Sequence, residues 1–364
     1  ELTYLIEVLT EQLKTTFFDK KIDTEALLLH LVSSKGRSSL QDIVNQLEQL
    51  KQITTVVVDT GNLEAIQKYN PTDSTTNPSL ILSAIENPLY RPLLEDAFHY
   101  GKKAPTKQMQ MEWMVDKLFV NVGVEILRHI PGRVSTEVDA RLSFDTPKSI
   151  ERARRLIQLY EKANIPRERI LIKLASTWEG GLAAKELEKE GIHCNMTLLF
   201  SLPQAIHCAE AKATLISPFV GRILDWYKNK EGRAEYPSEE DPGVISVRKI
   251  YNYFKKYSYK TQVMGASFRN VEEIQALAGC DLLTIAPKFL EQLNQSHSPL
   301  EKKLDPTWAQ DSDLERITLS EPLFRFLCNE DAMATEKLAE GIRIFAEDVR
   351  KLEWFLQKTF SSSL

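Results

Sequence analysis

The chain has 364 residues, a formal net charge of −5 and 43% hydrophobic residues, enough to bury one large core or two ordinary ones. The slightly negative balance points away from nucleic acid and from anionic membrane surfaces, and no apolar run is long enough to span a bilayer. Cys194, Cys208, Cys280 and Cys328 are far apart and form no CxxC pair, so disulfide and zinc readings are weak and a reducing, cytoplasmic setting is expected.

In chain order, the opening Glu1-Leu-Thr-Tyr-Leu-Ile-Glu7 carries acids and no basic segment, which argues against a secretory signal. It begins without Met, so some N-terminal residues are expected to be missing. Residues 2–18 place Leu2, Leu5, Ile6, Leu9 and Leu13 on one helical face. Asp23-Thr24 predicts the cap of a second short helix, Glu25 to Val32, and 33–39 reads as a linker. A third helix follows, with Leu40, Ile43, Val44, Leu47 and Leu50 in register. These helices carry no catalytic pattern. Covering a face of the domain is the plainer reading, and a partner-binding arm is the alternative. The expected organisation is a helical extension over 1–39 with no assigned role, then a catalytic domain over 40–364.

From there short apolar runs alternate with amphipathic helices. The runs are Thr54–Asp59, Ser74–Asn77, Val134–Val138, Ile170–Ala175, Cys194–Phe200, Thr214–Val220, Gln262–Ser267 and Leu282–Ala286. Helix-like segments include Leu63–Tyr69, Pro147–Ala163, Gly181–Glu190, Leu202–Ala211, Ser246–Tyr257 and Val271–Ala278. Alternating β and α units imply a parallel sheet, and eight of them predict a closed α/β structure, a TIM (β/α)8 barrel with additional N-terminal helices. An open doubly wound sheet is the alternative, and the lack of GxGxxG after the first run counts against its dinucleotide-binding form. A helical stretch from Ile81 to Pro131 interrupts the pattern, with Met109–Leu127 strongly amphipathic. Residues 295–328 are polar and broken by Pro299, Pro306 and Pro322, which suits a lid or surface padding. A last helix is predicted from Asp331 to Lys358, with Ala334, Leu338, Gly341, Ile342, Phe345, Val349, Leu352 and Leu356 as its apolar stripe.

The run Arg169-Ile-Leu-Ile-Lys-Leu-Ala-Ser-Thr177 places Lys173 in the middle of a buried strand. A buried ammonium is costly, and a desolvated lysine gives up its proton more readily and becomes a nucleophilic amine. The competing reading is a strand lysine whose head reaches water, and taken alone that reading is slightly favoured. The other runs reverse the order. In a parallel barrel chemistry sits at the carboxyl ends of the strands, and polar residues recur there: Asp59; Thr75-Thr76-Asn77; Glu137 and Asp139; Lys173 and Ser176; Asn195 and Thr197; Ser217 and Arg222; Ser267 and Arg269. The eighth run ends in Ile-Ala-Pro and contributes nothing obvious. Each residue has an ordinary explanation. Asp59 suits a turn or helix cap, Asn77-Pro78 a turn, Glu137 with Arg141 a structural ion pair, and the arginines a solvated surface. Together they describe one amine, two acids, neutral hydrogen-bonders and two guanidiniums, which suits Schiff-base chemistry on a sugar phosphate. The six histidines are scattered without paired ligand spacing, so a metal route is disfavoured.

At these residues the chain resembles the transaldolase family, in its longer bacterial and eukaryotic form. The matching motifs are Val58-Asp-Thr-Gly61, Asp73-Ser-Thr-Thr-Asn-Pro-Ser79, Ser135-Thr-Glu-Val-Asp-Ala-Arg141, Ile170-Leu-Ile-Lys-Leu-Ala-Ser-Thr-Trp178, Cys194-Asn-Met-Thr-Leu-Leu-Phe200, Ile216-Ser-Pro-Phe-Val-Gly-Arg222 and Gly265-Ala-Ser-Phe-Arg-Asn270. The match runs from about residue 40 to the C-terminal helix. Ser74 and Gly181 depart mildly from the family pattern, and residues 1–39 fall outside it.

The resemblance implies dihydroxyacetone transfer between sugar phosphates in the non-oxidative pentose phosphate pathway, without cofactor or metal, by a possible homodimer. It implies Lys173 as the Schiff-base lysine and Asp59 as the acid/base of carbon–carbon cleavage. Glu137 would act through a water held with Thr197. Asn77, Thr75 and Asn195 would serve the dihydroxyacetone end, with Ser217 nearby and Phe219 as a wall. Arg222, Ser267 and Arg269 would bind phosphate. The remaining readings are a fructose 6-phosphate aldolase, a metal-dependent aldolase, and a phosphosugar-binding scaffold that uses the N-terminal helices.

Overall fold

The structure is a computed structural model that describes residues 44–360. The first two predicted helices, the linker and the start of the third lie outside the described residues. The third helix enters as Gln46–Lys51, capped by the Asn45 side chain, which accepts the Glu48 N–H.

All eight predicted strands are present: β1 (Thr55–Asp59), β2 (Asp73–Thr75), β3 (Val134–Glu137), β4 (Ile170–Ala175), β5 (Cys194–Leu199), β6 (Leu215–Pro218), β7 (Gln262–Gly265) and β8 (Leu282–Ile285). Each pairs in parallel with its sequence neighbour, and β1 pairs with β8, so the sheet closes. The open-sheet alternative is thereby excluded, because neither β1 nor β8 keeps a free edge. Outside the strands, the predicted helices appear within a few residues of their expected bounds. Several start where a side-chain cap is followed by proline, as at Asn77-Pro78 and Asp241-Pro242, the pairing that satisfies one free N–H and dispenses with another.

Two expectations need correction. The sixth run does not continue as a strand through Val220, since a helix, Val220–Glu231, starts there. Its first N–H groups donate to the carbonyls of Ala266 and Ser267 at 2.9 and 2.8 Å, so the helix start is satisfied from another loop. The fifth run is interrupted as well. Its pairing with β6 shifts between Met196 and Leu199, and Leu198 takes φ 53°, a left-handed conformation that a β-bulge imposes on a side chain.

The irregular segment after β8 packs as padding, and it ends earlier than expected, because Glu321–Glu330 is a helix whose cap, Ser320, accepts the Leu323 N–H. Leu304 and Ala309 are buried, the N–H groups of Lys303 and Leu304 donate to the Ala278 carbonyl, and Tyr253 and Tyr257 hydrogen-bond to the backbone of Ile317 and Leu314. It therefore straps the outer helix Pro242–Lys256. The last helix, Ala332–Thr359, buries Ala334, Gly341, Phe345, Val349, Leu352 and Leu356 of its predicted stripe. A hydrogen bond from Ser79 to Asp348 ties it to the helix that follows Asn77.

Candidate active site

The barrel interior is layered because side chains on a strand repeat every second residue. Val57, Leu171, Leu215, Met264 and Leu282 form a closed apolar cluster. Two residues further along four of the same strands stand Asp59, Lys173, Ser217 and Thr284, all facing a cavity of about 210 Å³ at the carboxyl end.

Lys173 is 5% exposed. Its Nζ donates to the Thr76 carbonyl at 3.1 Å and lies 3.3 Å from Glu137 Oε2. Strand register makes this contact, since Glu137, Lys173 and Asn195 are lateral partners across β3, β4 and β5. Glu137 is buried, and burial pushes its carboxyl above the ordinary range against the pull of Lys173 and Arg222. Asp59 lines the cavity and accepts a hydrogen bond from Thr75 Oγ1 at 2.8 Å, and Thr75 in turn contacts Thr284 Oγ1 at 2.6 Å. Burial raises the Asp59 carboxyl too, opposed by Lys173, Thr75 and Arg222. The predicted turn and cap role of Asp59 belongs to Asn62, which caps the following helix. The predicted Glu137–Arg141 pair does not form, since Arg141 binds Asp139 and Glu353.

At the other end of the cavity, the Arg222 guanidinium lies 4.9 Å from the Phe219 ring centroid and 5.4 Å from that of Phe345. Its Nη1 is buried without a hydrogen-bond partner. Burial, with the nearby Arg269, pulls its proton affinity down. Arg269 is held by Asp225 at 2.7 Å, and its Nη1 lies 3.4 Å from Ser267 Oγ. Two cations converging around an unpartnered N–H have the chemistry to suit an oxyanion. The crowding explains Gly221, where a Cβ would fall 2.3 Å from the Ser267 carbonyl oxygen. Ser267 itself sits at φ 61°, the kind of strained backbone that persists where surrounding contacts enforce it.

Between these ends lie the neutral groups. Asn77 lines the cavity while its Oδ1 caps helix Pro78–Ile85, so the turn and site readings both hold. Asn195 is fully buried, donating to Ser135 Oγ at 3.0 Å and accepting from Ser217 Oγ at 2.5 Å. Thr197 Oγ1 is buried without a hydrogen-bond partner, and Glu137 Oε2 faces only Lys173 Nζ at 3.3 Å. A buried orphaned hydroxyl is costly unless a water or ligand satisfies it.

Of the residues singled out from the sequence, Asp59, Thr75, Asn77, Lys173, Thr197, Ser217, Phe219, Arg222, Ser267 and Arg269 line one cavity. Glu137 and Asn195 stand directly behind them, in contact with Lys173 and Ser217. Ser176 turns away, donating to the Thr197 carbonyl. Neither departure from the family pattern, Ser74 or Gly181, reaches the cavity. Sequence reasoning missed Thr284 and Phe345. Thr284 corrects the reading that β8 contributes nothing. It was overlooked because it lies inside its run, although its spacing from Leu282 marks it as inward-facing. Phe345 carried no signal beyond its place in an apolar stripe. Among the described residues, no group of His, Cys, Asp and Glu is arranged to hold a metal ion, and no helix is long and apolar enough to cross a membrane.

Residues 56–355 match the family described as Transaldolase/Fructose-6-phosphate aldolase. A transaldolase of Protochlamydia amoebophila is 65% identical over 316 residues, 87% of this chain and 98% of that protein. The transaldolases of Bos taurus and Homo sapiens are 59% and 60% identical, covering 89% and 87% of this chain and 96% and 94% of their own lengths.

Proposed function

Since this chain belongs to the transaldolase/fructose-6-phosphate aldolase family, we propose that its cavity carries out transaldolase chemistry with the residues named above. The enzyme moves a dihydroxyacetone unit from a ketose phosphate, sedoheptulose 7-phosphate or fructose 6-phosphate, to glyceraldehyde 3-phosphate or erythrose 4-phosphate. It acts through a lysine Schiff base in the non-oxidative pentose phosphate pathway. The observation that carries the assignment of roles is the shared cavity. A buried amine flanked by two acids stands at one end, and an arginine with an unsatisfied N–H at the other.

The neutral Lys173 amine attacks the ketose C2 carbonyl to give a carbinolamine, which loses water to an imine. Glu137 shuttles those protons through a water that it shares with Thr197, which gives the buried, unpartnered Thr197 Oγ1 a use. The protonated imine then serves as electron sink. Asp59 takes the proton of the C4 hydroxyl, the C3–C4 bond breaks, and its electron pair forms an enamine on Lys173. The aldose phosphate leaves, the enamine attacks the carbonyl of a second aldose phosphate, and hydrolysis releases the new ketose. Asn77, Asn195 and Ser217 hold the hydroxyls, and Arg222, Ser267 and Arg269 hold the phosphate. Phe219 and Phe345 wall the cavity, and shielding the enamine from water favours transfer over release of free dihydroxyacetone. Borohydride added with fructose 6-phosphate is expected to fix a three-carbon unit on Lys173, read by intact and peptide mass. Label on another residue, or none, overturns the assignment.

The family description also covers fructose 6-phosphate aldolases. Measuring cleavage with and without an acceptor aldose phosphate separates the two activities, and acceptor-dependent turnover is expected here. We take 40–364 as the catalytic domain, 1–39 as an extension that activity does not need, the protein as a homodimer, and the cytoplasm as its setting. The setting is supported by the four cysteines being free thiols. Deleting 1–39 while measuring activity and mass by light scattering tests the first three.

A further inference from the structure

Beside the phosphate end lies a pair of acids that the chemistry above does not use. Glu273, in the first turn of helix Val271–Ala276, is 0% exposed. Its Oε2 accepts the backbone N–H of Arg269 at 2.6 Å, and its Oε1 has no donor. Asp241, 1% exposed, caps helix Pro242–Lys256 by accepting the N–H groups of Gly243 and Val244 at 2.8 and 3.3 Å. The two carboxyl groups are close enough to act on each other's proton affinity. Ionised carboxylates only accept and repel one another, so a proton between them relieves a buried pair. Burial first, then the neighbouring Asp241, pushes Glu273 up to about 8, and burial raises Asp241 as well. Facing the pair are Lys228, on helix Val220–Glu231, and the Arg269–Asp225 ion pair.

An ordinary capping role accounts for part of this, since Asn270 Oδ1 accepts the Glu273 N–H at 2.8 Å. A cap on so short a helix requires neither complete burial nor a second acid. The pair also joins three pieces of the phosphate end. Glu273 holds the backbone of Arg269. The Gly221 N–H, one residue before Arg222, donates to the Ser267 carbonyl. Gly243, next to the Asp241 cap, packs so closely on the start of the Arg222 helix that a Cβ there would fall 2.1 Å from the Val220 carbonyl oxygen.

We propose that Glu273, sharing one proton with Asp241, is the positioning residue that holds the Ser267–Arg269 loop in the shape that grips the substrate phosphate. This rests on the reading of the Arg222–Arg269 end as the phosphate site. A protonated Glu273 donates to Asp241 while accepting from Arg269, a dual role that a glutamine amide can reproduce.

The test uses the full chain, with donor kinetics and borohydride trapping on fructose 6-phosphate and on unphosphorylated fructose. Glu273→Ala is expected to raise KM for fructose 6-phosphate about tenfold or more, on the scale of a lost positioning contact, with kcat within about threefold. Half-saturation of trapping with fructose should stay where it was. Glu273→Gln is expected to restore KM. In the wild type KM for the phosphorylated donor should climb above about pH 8, as the shared proton leaves, and Glu273→Gln should flatten that climb. An unchanged KM in Glu273→Ala, an equal rise for both donors, or failure of Gln to restore KM overturns the proposal. If Glu273→Ala does not fold, identical pH profiles for the wild type and Glu273→Gln overturn it. Failure of the wild type to trap any adduct at Lys173 is a different outcome, which defeats the parent reading instead.

Discussion

Two layers of the same barrel, a single side-chain repeat apart, behave oppositely. The lower layer of Val57, Leu171, Leu215, Met264 and Leu282 is apolar and closed. The upper layer holds Asp59, Lys173, Ser217 and Thr284 around a cavity, and next to it are buried atoms without partners and acids displaced from their ordinary range. One layer lowers the free energy of the fold through burial. The other carries desolvated charge, which opposes folding and supplies reactivity. Adjacent turns of one pleat can therefore be assigned to stability and to catalysis separately, and substitutions can check the division.

The largest expected effect is at Lys173. Lys173→Met should abolish the borohydride adduct while leaving the thermal midpoint unchanged or higher, because it replaces a buried polar head with an apolar one of similar length. A midpoint several degrees lower would place Lys173 in the stabilising layer after all. Asp59→Ala should keep imine formation and slow carbon–carbon cleavage by roughly 10²–10⁴-fold, the usual scale for a lost acid/base. Rapid-quench trapping separates the two steps, and parallel loss of both would remove Asp59 from the cleavage step. One repeat below, Leu171→Ala should cost about 2–5 kcal/mol in denaturant unfolding yet still form adduct wherever it is folded. Folded protein that fails to trap substrate would dissolve the boundary between the layers.

At the phosphate end, Arg222→Ala should raise KM for phosphorylated donors by roughly 10–100-fold, equivalent to about 1.5–3 kcal/mol for hydrogen bonds to a charged group. An unchanged KM would remove it from the phosphate site. The smallest effect is in pH. The Asp59 and Glu137 carboxyls are raised in the fold, so they bind protons more tightly than in the unfolded chain. Their contribution to stability is full below about pH 4 and is lost as pH rises through the raised values. Asp59→Asn should therefore flatten the dependence of stability on pH in that window, and an unaltered slope would count against a raised Asp59. The acid limb of kcat/KM should likewise lie above the ordinary carboxyl range.

Elements were legible where their signal is local. The eight runs declared themselves by length, branching and polar caps, whereas Asn77 reads only as a turn and the helix that Asp241 caps is expected four residues late, at Ser246 rather than Pro242. The helix at Val220 did not declare itself, because no capping side chain stands at Phe219. The carbonyls of Ala266 and Ser267 satisfy its first N–H groups from across the sheet. Nothing local distinguishes Phe345, facing Lys173 at 5.9 Å, from Leu352, which is plain core. Nor does anything local mark Glu273, whose partner Asp241 is distant in the chain.

The order of strands and helices, the barrel they imply and the identity of the amine, the acids and the arginines belong to the sequence. Alternation of side chains along a strand, and the grouping of polar residues at strand ends, follow from covalent geometry and local patterning alone. Closure between β1 and β8, the laying of the last helix across the cavity, the isolation of Arg222 Nη1 and the meeting of Glu273 with Asp241 came from tertiary structure. Each depends on which distant surfaces exclude water together, and desolvation is a property of the packed whole rather than of any stretch of chain.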